Sequence, residues 1–112
     1  MVYELIAPGE QGQVRAPTSW SLISGQEVTS FVFTGRLKCK TEPTNPYRDM
    51  CVFFHFQDPT HFYYVHFAAR SDDVHNIIAL VNGADRVKIN LEPAGTSVYR
   101  LSDTNWHAFK GT

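Results

Sequence analysis

Residues 51–68 read CVFFHFQDPTHFYYVHFA, and this stretch decides the fold. Two aromatic and β-branched runs, Cys51 to Gln57 and Phe62 to Ala68, are split by Asp58, Pro59, Thr60 and His61, the composition of a turn between two hairpin strands. With Gln57 set opposite Phe62, period-two alternation gathers Val52, Phe54, Phe56, Tyr63, Val65 and Phe67 on one face. Cys51, Phe53, His55, Tyr64, His66 and Ala68 then share the other. One face is wholly apolar and the other is mixed. A slip of one residue would scatter Tyr64 and His66 among Val52, Phe54 and Phe56, so the segregation of polarity selects the first register.

Working outward, Phe31, Phe33, Gly35, Leu37 and Cys39 alternate with Val32, Thr34, Arg36, Lys38 and Lys40, the signature of a half-buried strand. Pro43, Asn45 and Pro46 make Thr41 to Asp49 a connecting loop. Downstream, Asn76 to Val81 reads as a strand, and Asn82-Gly83 predicts a primed turn with positive φ at its centre. Arg86 to Asn90 returns from that turn, with Val87 and Ile89 expected inward and Arg86, Lys88 and Asn90 outward. Glu92 to Thr96 is a Pro/Gly turn, and Val98 to Leu101 reads as one more short strand. In the N-terminal third, Tyr3 to Ile6 and Ser19 to Ile23 read as short strands separated by Pro8-Gly9, Gly12 and Pro17. No helical period appears. Several short strands with frequent turns predict one all-β domain over residues 1–112, an antiparallel jelly-roll or β-sandwich. A hairpin that is aromatic on both faces fits a strand pair covered on one side by a second sheet and lined on the other by a groove.

Composition narrows the partners. At 112 residues the chain holds one hydrophobic core, and 43% hydrophobic content is too rich for disorder. A formal net charge of -1 gives no field to gather phosphates, so nucleic acid is not an expected partner. No apolar run is long enough to cross a bilayer, and the first ten residues lack the basic start and apolar middle of a signal peptide. Two cysteines are too few for a disulfide scaffold. Cys39 and Cys51 lie on strands joined by a loop and are placed opposite one another, where a bridge would fit an oxidising compartment and two buried thiols the cytosol. Arg48 beside Asp49 is expected as a salt-bridged strand entrance, and Trp20 and Trp106 as core anchors.

The run Phe54 to Ala68, with Asp73, His75-Asn76, Val81 to Arg86 and Trp106-His107 after it, resembles bacterial proteins of the concanavalin A-like lectin/glucanase superfamily, of LamG-like type. The resemblance spans roughly Val14 to His107. It implies a concanavalin A-like jelly roll and an extracellular or periplasmic location, and it implies little about activity. In such proteins the Trp-His pair opens a further strand and about half a sheet more follows, so the chain is expected to be a shortened version. Missing strands would leave open edges, which favour a homodimer completing the sheet across its interface.

The mixed face nominates the ligand site. Aromatic rings lie against the C–H faces of sugars while imidazoles, amides and charged groups bond their hydroxyls, which assigns Phe53, His55, Gln57, Tyr64 and His66 to an oligo- or polysaccharide groove. The plainer reading packs the same side chains under a second layer. Arg86, Lys88 and Asn90 carry an exposed basic stripe for an acidic sugar, or charges that keep an edge strand from aggregating. Arg70, Asp72, Asp73, His75 and Asn76 cluster after Ala69, where Asp72 and Asp73 offer oxygens to Ca2+; the alternative is a solvated turn whose aspartates cap backbone N–H groups. No other cofactor is implied.

Three classes of function follow. The first is a non-catalytic carbohydrate-binding or interaction module. The second is a polysaccharide-degrading enzyme. Retaining hydrolysis needs paired carboxyl groups, yet none of Glu4, Glu10, Glu27, Glu42 and Glu92 falls in the hairpin and the Glu-x-Asp-x-x-Glu run of laminarinase-type enzymes is missing. A lyase needs a base and a charge-neutralising partner, which His55, Tyr64 and His66 with an arginine supply. The third is a structural subunit completed by oligomerisation. The first fits the residues best.

Overall fold

The computed structural model describes every residue except Met1, Pro8, Ser24, Gln26, Ala94, Ser97, Val98 and Thr112. Its described residues form six strands and no helix: β1 Phe33–Leu37, β2 Asp49–Asp58, β3 His61–Ala68, β4 Ile78–Asn82, β5 Val87–Lys88 and β6 His107–Gly111. They make two antiparallel sheets, a four-stranded one in the order β2-β3-β4-β5 and a two-stranded one of β1 with β6. The chain is all-β, and the arrangement is compatible with a β-sandwich.

The central hairpin forms, with a register that shifts along its length. At the tip, Asp58 faces His61 across Pro59-Thr60, and the Asp58 carboxylate accepts bonds from the Thr60 N–H at 2.8 Å and its hydroxyl at 2.9 Å. Further in, Phe54 faces Tyr63 and Asp49 faces Ala68, two residues out of step with the expected pairing. A bulge between Phe54 and Asp58 absorbs the difference, with His55 in the left-handed region at φ 54°. A two-residue slip preserves the side-chain alternation, so most of the expected faces survive. Phe56 and His55 are the exceptions. The bulge turns Phe56 onto Phe53 and Phe62, at ring distances of 5.9 and 5.8 Å, and turns His55 outward against the edge of Tyr63.

The mixed face, expected to line a groove, is the more deeply buried one. Phe62, Tyr64, Ile77, Ala79 and Val81 form its core, and Val14, Ala16, Cys51, Phe53 and Phe56 pack against it. Its cover is the N-terminal segment, tied down where Arg86 donates its N–H to the Arg15 carbonyl and Arg15 donates its own to Asp85. Neither Tyr3 to Ile6 nor Ser19 to Ile23 forms a strand. Val98 lies outside the described residues, and Tyr99 to Leu101 is irregular, although the Leu101 N–H bonds the Ala68 carbonyl at 2.9 Å.

The opposite face carries the second sheet over part of its area. Leu37, Cys39 and Leu101 form a second cluster with Met50, Val52, Phe67, Tyr99 and Phe109. Alternation from Phe31 to Lys40 holds residue by residue, odd positions turned inward and even ones outward. β1 and β6 interlock through glycine and ring: Gly35 pairs with Phe109 and Gly111 with Phe33. Because β1 pairs with β6 and not with β2, Cys39 and Cys51 belong to different clusters and both are free thiols.

Four further expectations are corrected. Adjacent residues entering a strand point to opposite sides, so Arg48 and Asp49 do not pair. Arg48 is buried and donates to the carbonyls of Leu101 at 3.0 Å and Cys39 at 2.9 Å. Trp20 and Trp106 are half exposed: Trp20 lies on Phe53 and Phe56 as a lid, and Trp106 lies under the Arg36 and Lys38 cations. On the β5 side, Val87 and Ile89 are exposed while Arg86, Lys88 and Asn90 are half buried, the reverse of the expected facing. Gly83 alone supplies positive φ, at 71°, so the connection differs from the primed Asn-Gly turn, and the Gly83 N–H bonds Thr60 on the neighbouring hairpin.

Candidate functional site

The residues assigned to the groove and to the basic stripe do not come together in one place. Phe53 and Tyr64 are core residues, Tyr64 fully buried, and burial pushes its phenol up to about 12, while Arg86 on the same side works to lower it. His55 and Gln57, set on the bulge, line a shallow concavity of about 150 Å3 with His61, Tyr63 and Asn82. Lys88 lines a much larger one.

That larger concavity, about 510 Å3, is lined by Val65, Phe67 and Ile78 from one face of the four-stranded sheet and by His66 and Ile77 from the other. Val65, Phe67 and Ile78 contribute its apolar part, and Tyr99, edge-on to Phe67 at 5.4 Å, stands beside them. Lys88, Asn90, Glu92 and Thr96 supply polar groups. These are held in place: the Lys88 ammonium donates to the Asn90 carbonyl at 2.6 Å, the Asn90 amide donates to Glu92 at 3.1 Å, and the Asn90 carbonyl oxygen of the side chain accepts the Ile78 N–H at 3.0 Å. The Glu92 carboxyl is held below its ordinary value by its own backbone N–H, with Asn90 and Lys88 adding to the effect. It stands as an anion on the rim.

His66 also borders this concavity, but its ring belongs to a polar cluster at the Ala68 end of the buried face. Asp49, Cys51, His66 and Ala68 share that face by alternation, and the true register sets Asp49 diagonal to His66. His66 Nε2 lies 2.9 Å from Asp49 Oδ2, and His66 Nδ1 lies 2.7 Å from the Val74 carbonyl. The His75 ring sits 5.2 Å from that of His66, and one donor atom from each of Asp49, His66 and His75 lies within 4.8 Å of the other two. His75 Nδ1 in turn meets Asp72 Oδ1 at 2.7 Å.

Asp72 therefore does not pair with Asp73. Partial burial works to raise the Asp72 carboxyl, but the Val74 N–H, His75 and Arg70 together hold it below its ordinary value. Asp73 is exposed. Asn76, at φ 53°, knots the segment: its side-chain oxygen accepts the Ala68 N–H at 2.7 Å, and its amide donates to Ser71 at 2.9 Å and to the Tyr99 carbonyl at 2.8 Å.

Sequence reasoning missed Tyr99, Glu92 and Thr96, which lie outside the strands, and Asp49. The two-residue bulge hid Asp49, because the assumed pairing carried it past the end of β3. Compared with protein-family models, curated proteins and solved structures, the chain gives no significant match.

Proposed function

We propose that the chain is a non-catalytic carbohydrate-binding module on a lectin-like, concanavalin A-like jelly roll. The observation that carries the reading is the concavity of about 510 Å3 in which the apolar surface of Val65, Phe67 and Tyr99 meets the fixed polar groups of Lys88, Asn90 and Glu92. A sugar ring offers C–H patches and hydroxyls in the same small volume, and such a surface answers both. Two carboxylates, Asp72 and Glu92, border the space, and both are held below their ordinary values. Neither is kept protonated to serve a leaving group, which favours binding over glycoside hydrolysis.

Neutral and acidic oligosaccharides titrated calorimetrically into the full chain test the reading. Wild type should bind one class, and Lys88→Ala should weaken it by roughly tenfold, the effect of losing a charge-assisted hydrogen bond. A wild-type chain that binds no glycan of either class would sink the proposal.

A further inference from the structure

Beyond that reading, and on other residues, we infer that Asp49, His66 and His75 form a binding site for a first-row divalent cation of the Zn2+ type. The argument begins with protons. A carbonyl oxygen accepts only from an N–H, so the 2.7 Å contact of His66 Nδ1 with Val74 puts a proton on Nδ1. The 2.7 Å contact of His75 Nδ1 with the Asp72 carboxylate does the same for His75. Both rings thus use Nδ1 outward and leave Nε2 as the ligating atom.

The arrangement is the one metal sites require of their supports: an imidazole that ligates through one nitrogen donates the other N–H to a backbone carbonyl or a carboxylate. Here one histidine uses each kind. His66 Nε2 faces Asp49 Oδ2 at 2.9 Å, two electron-rich atoms that repel one another unless a proton or a cation lies between them. With His66 nearly buried, at 4% side-chain exposure, and Asp49 at 47%, the set opens to water on the Asp49 side and leaves room for a solvent ligand. Two imidazoles and one carboxylate suit Zn2+ and its neighbours, whereas Ca2+ prefers six to eight oxygens. The three ligands come from β2, β3 and the segment joining β3 to β4, so a bound ion would pin that segment to the sheet. Arg86 is the nearby opposing charge, acting on Cys51 and Tyr64 of the same face.

The test uses the full chain stripped with a chelator, titrated with Zn2+ by calorimetry and with Co2+ by visible absorption. The expected result is saturation near one equivalent with an intense Co2+ d–d band. Asp49→Asn and His75→Gln should each weaken binding at least about tenfold, and Asp72→Asn, whose contact with the three ligands is through the His75 N–H, about 10- to 100-fold. His61→Gln, at the Asp58–His61 pair on the hairpin tip, should change nothing. His66 is left intact because removing so buried a ring confounds binding with folding. No uptake by a wild-type chain with a native circular dichroism spectrum, or an equal loss in His61→Gln, overturns the inference; the first result would mean that a proton alone joins His66 to Asp49.

Discussion

His55 is the residue at which local geometry and side-chain chemistry disagree most openly. It carries a Cβ into the left-handed region at φ 54°, where an L residue costs about 1–2 kcal/mol, and its exposed ring meets the edge of Tyr63. His55→Gly should therefore raise stability by about 1 kcal/mol, read as a higher denaturant midpoint at unchanged slope. A lower midpoint would mean that the Tyr63 contact outweighs the backbone strain. Asn76 shares the conformation and escapes the conflict, because four polar atoms around it use its short amide fully. Arg48 shows how one residue can escape a sequence reading altogether. Its partners, the carbonyls of Cys39 and Leu101, are 9 and 53 residues away, and no local pattern announces a backbone carbonyl as a partner.

At the level of elements, period-two alternation was the dependable signal. β1 shows the expected facing at every position, and β2 and β3 appear within two residues of their expected ends. What alternation cannot count is a bulge, since a shift of two restores the same faces while moving every partner; that is why the faces of the hairpin were legible and its pairing was not. β5 is only two residues long, too short for alternation to fix its facing, and there the expected sense came out reversed. Strand partners across long loops were equally invisible, so the pairing of β1 with β6 had to come from the structure. That pair offers a direct test. A Cβ on Gly35 would stand 2.7 Å from Cζ of Phe109, so Gly35→Ala must displace the ring and should cost about 1–3 kcal/mol. Adding Phe109→Leu should recover part of the loss, because both changes act on one contact; strictly additive losses would show that the ring is not what the glycine accommodates.

For the molecule as a whole, the sequence made an all-β chain plain but not which of its faces is covered. The mixed face looked like a groove because Tyr64 and His66 are polar, yet a phenol and an imidazole can be buried when their neighbours arrange it, and a segment with no strand pattern covers them. The open concavity takes Val65 and Phe67 from the face that read as wholly apolar and His66 from the other. The candidate site was thus legible in its residue types and illegible in its assembly.

The division into two clusters, each with one unpaired sulfur, gives the molecule a pair of chemical clocks. Cys39 sits with Leu37 and Leu101, and Cys51 on the far side with Tyr64, its thiol pushed well above the usual range first by burial and then by Asp49. A thiol reagent attacks only a thiolate that has met water, so each alkylation rate reports the opening of its own half. Equal protection at both positions would mark a single cooperative unit, and faster labelling of Cys51 would show that the N-terminal cover lifts away while the two sheets stay joined.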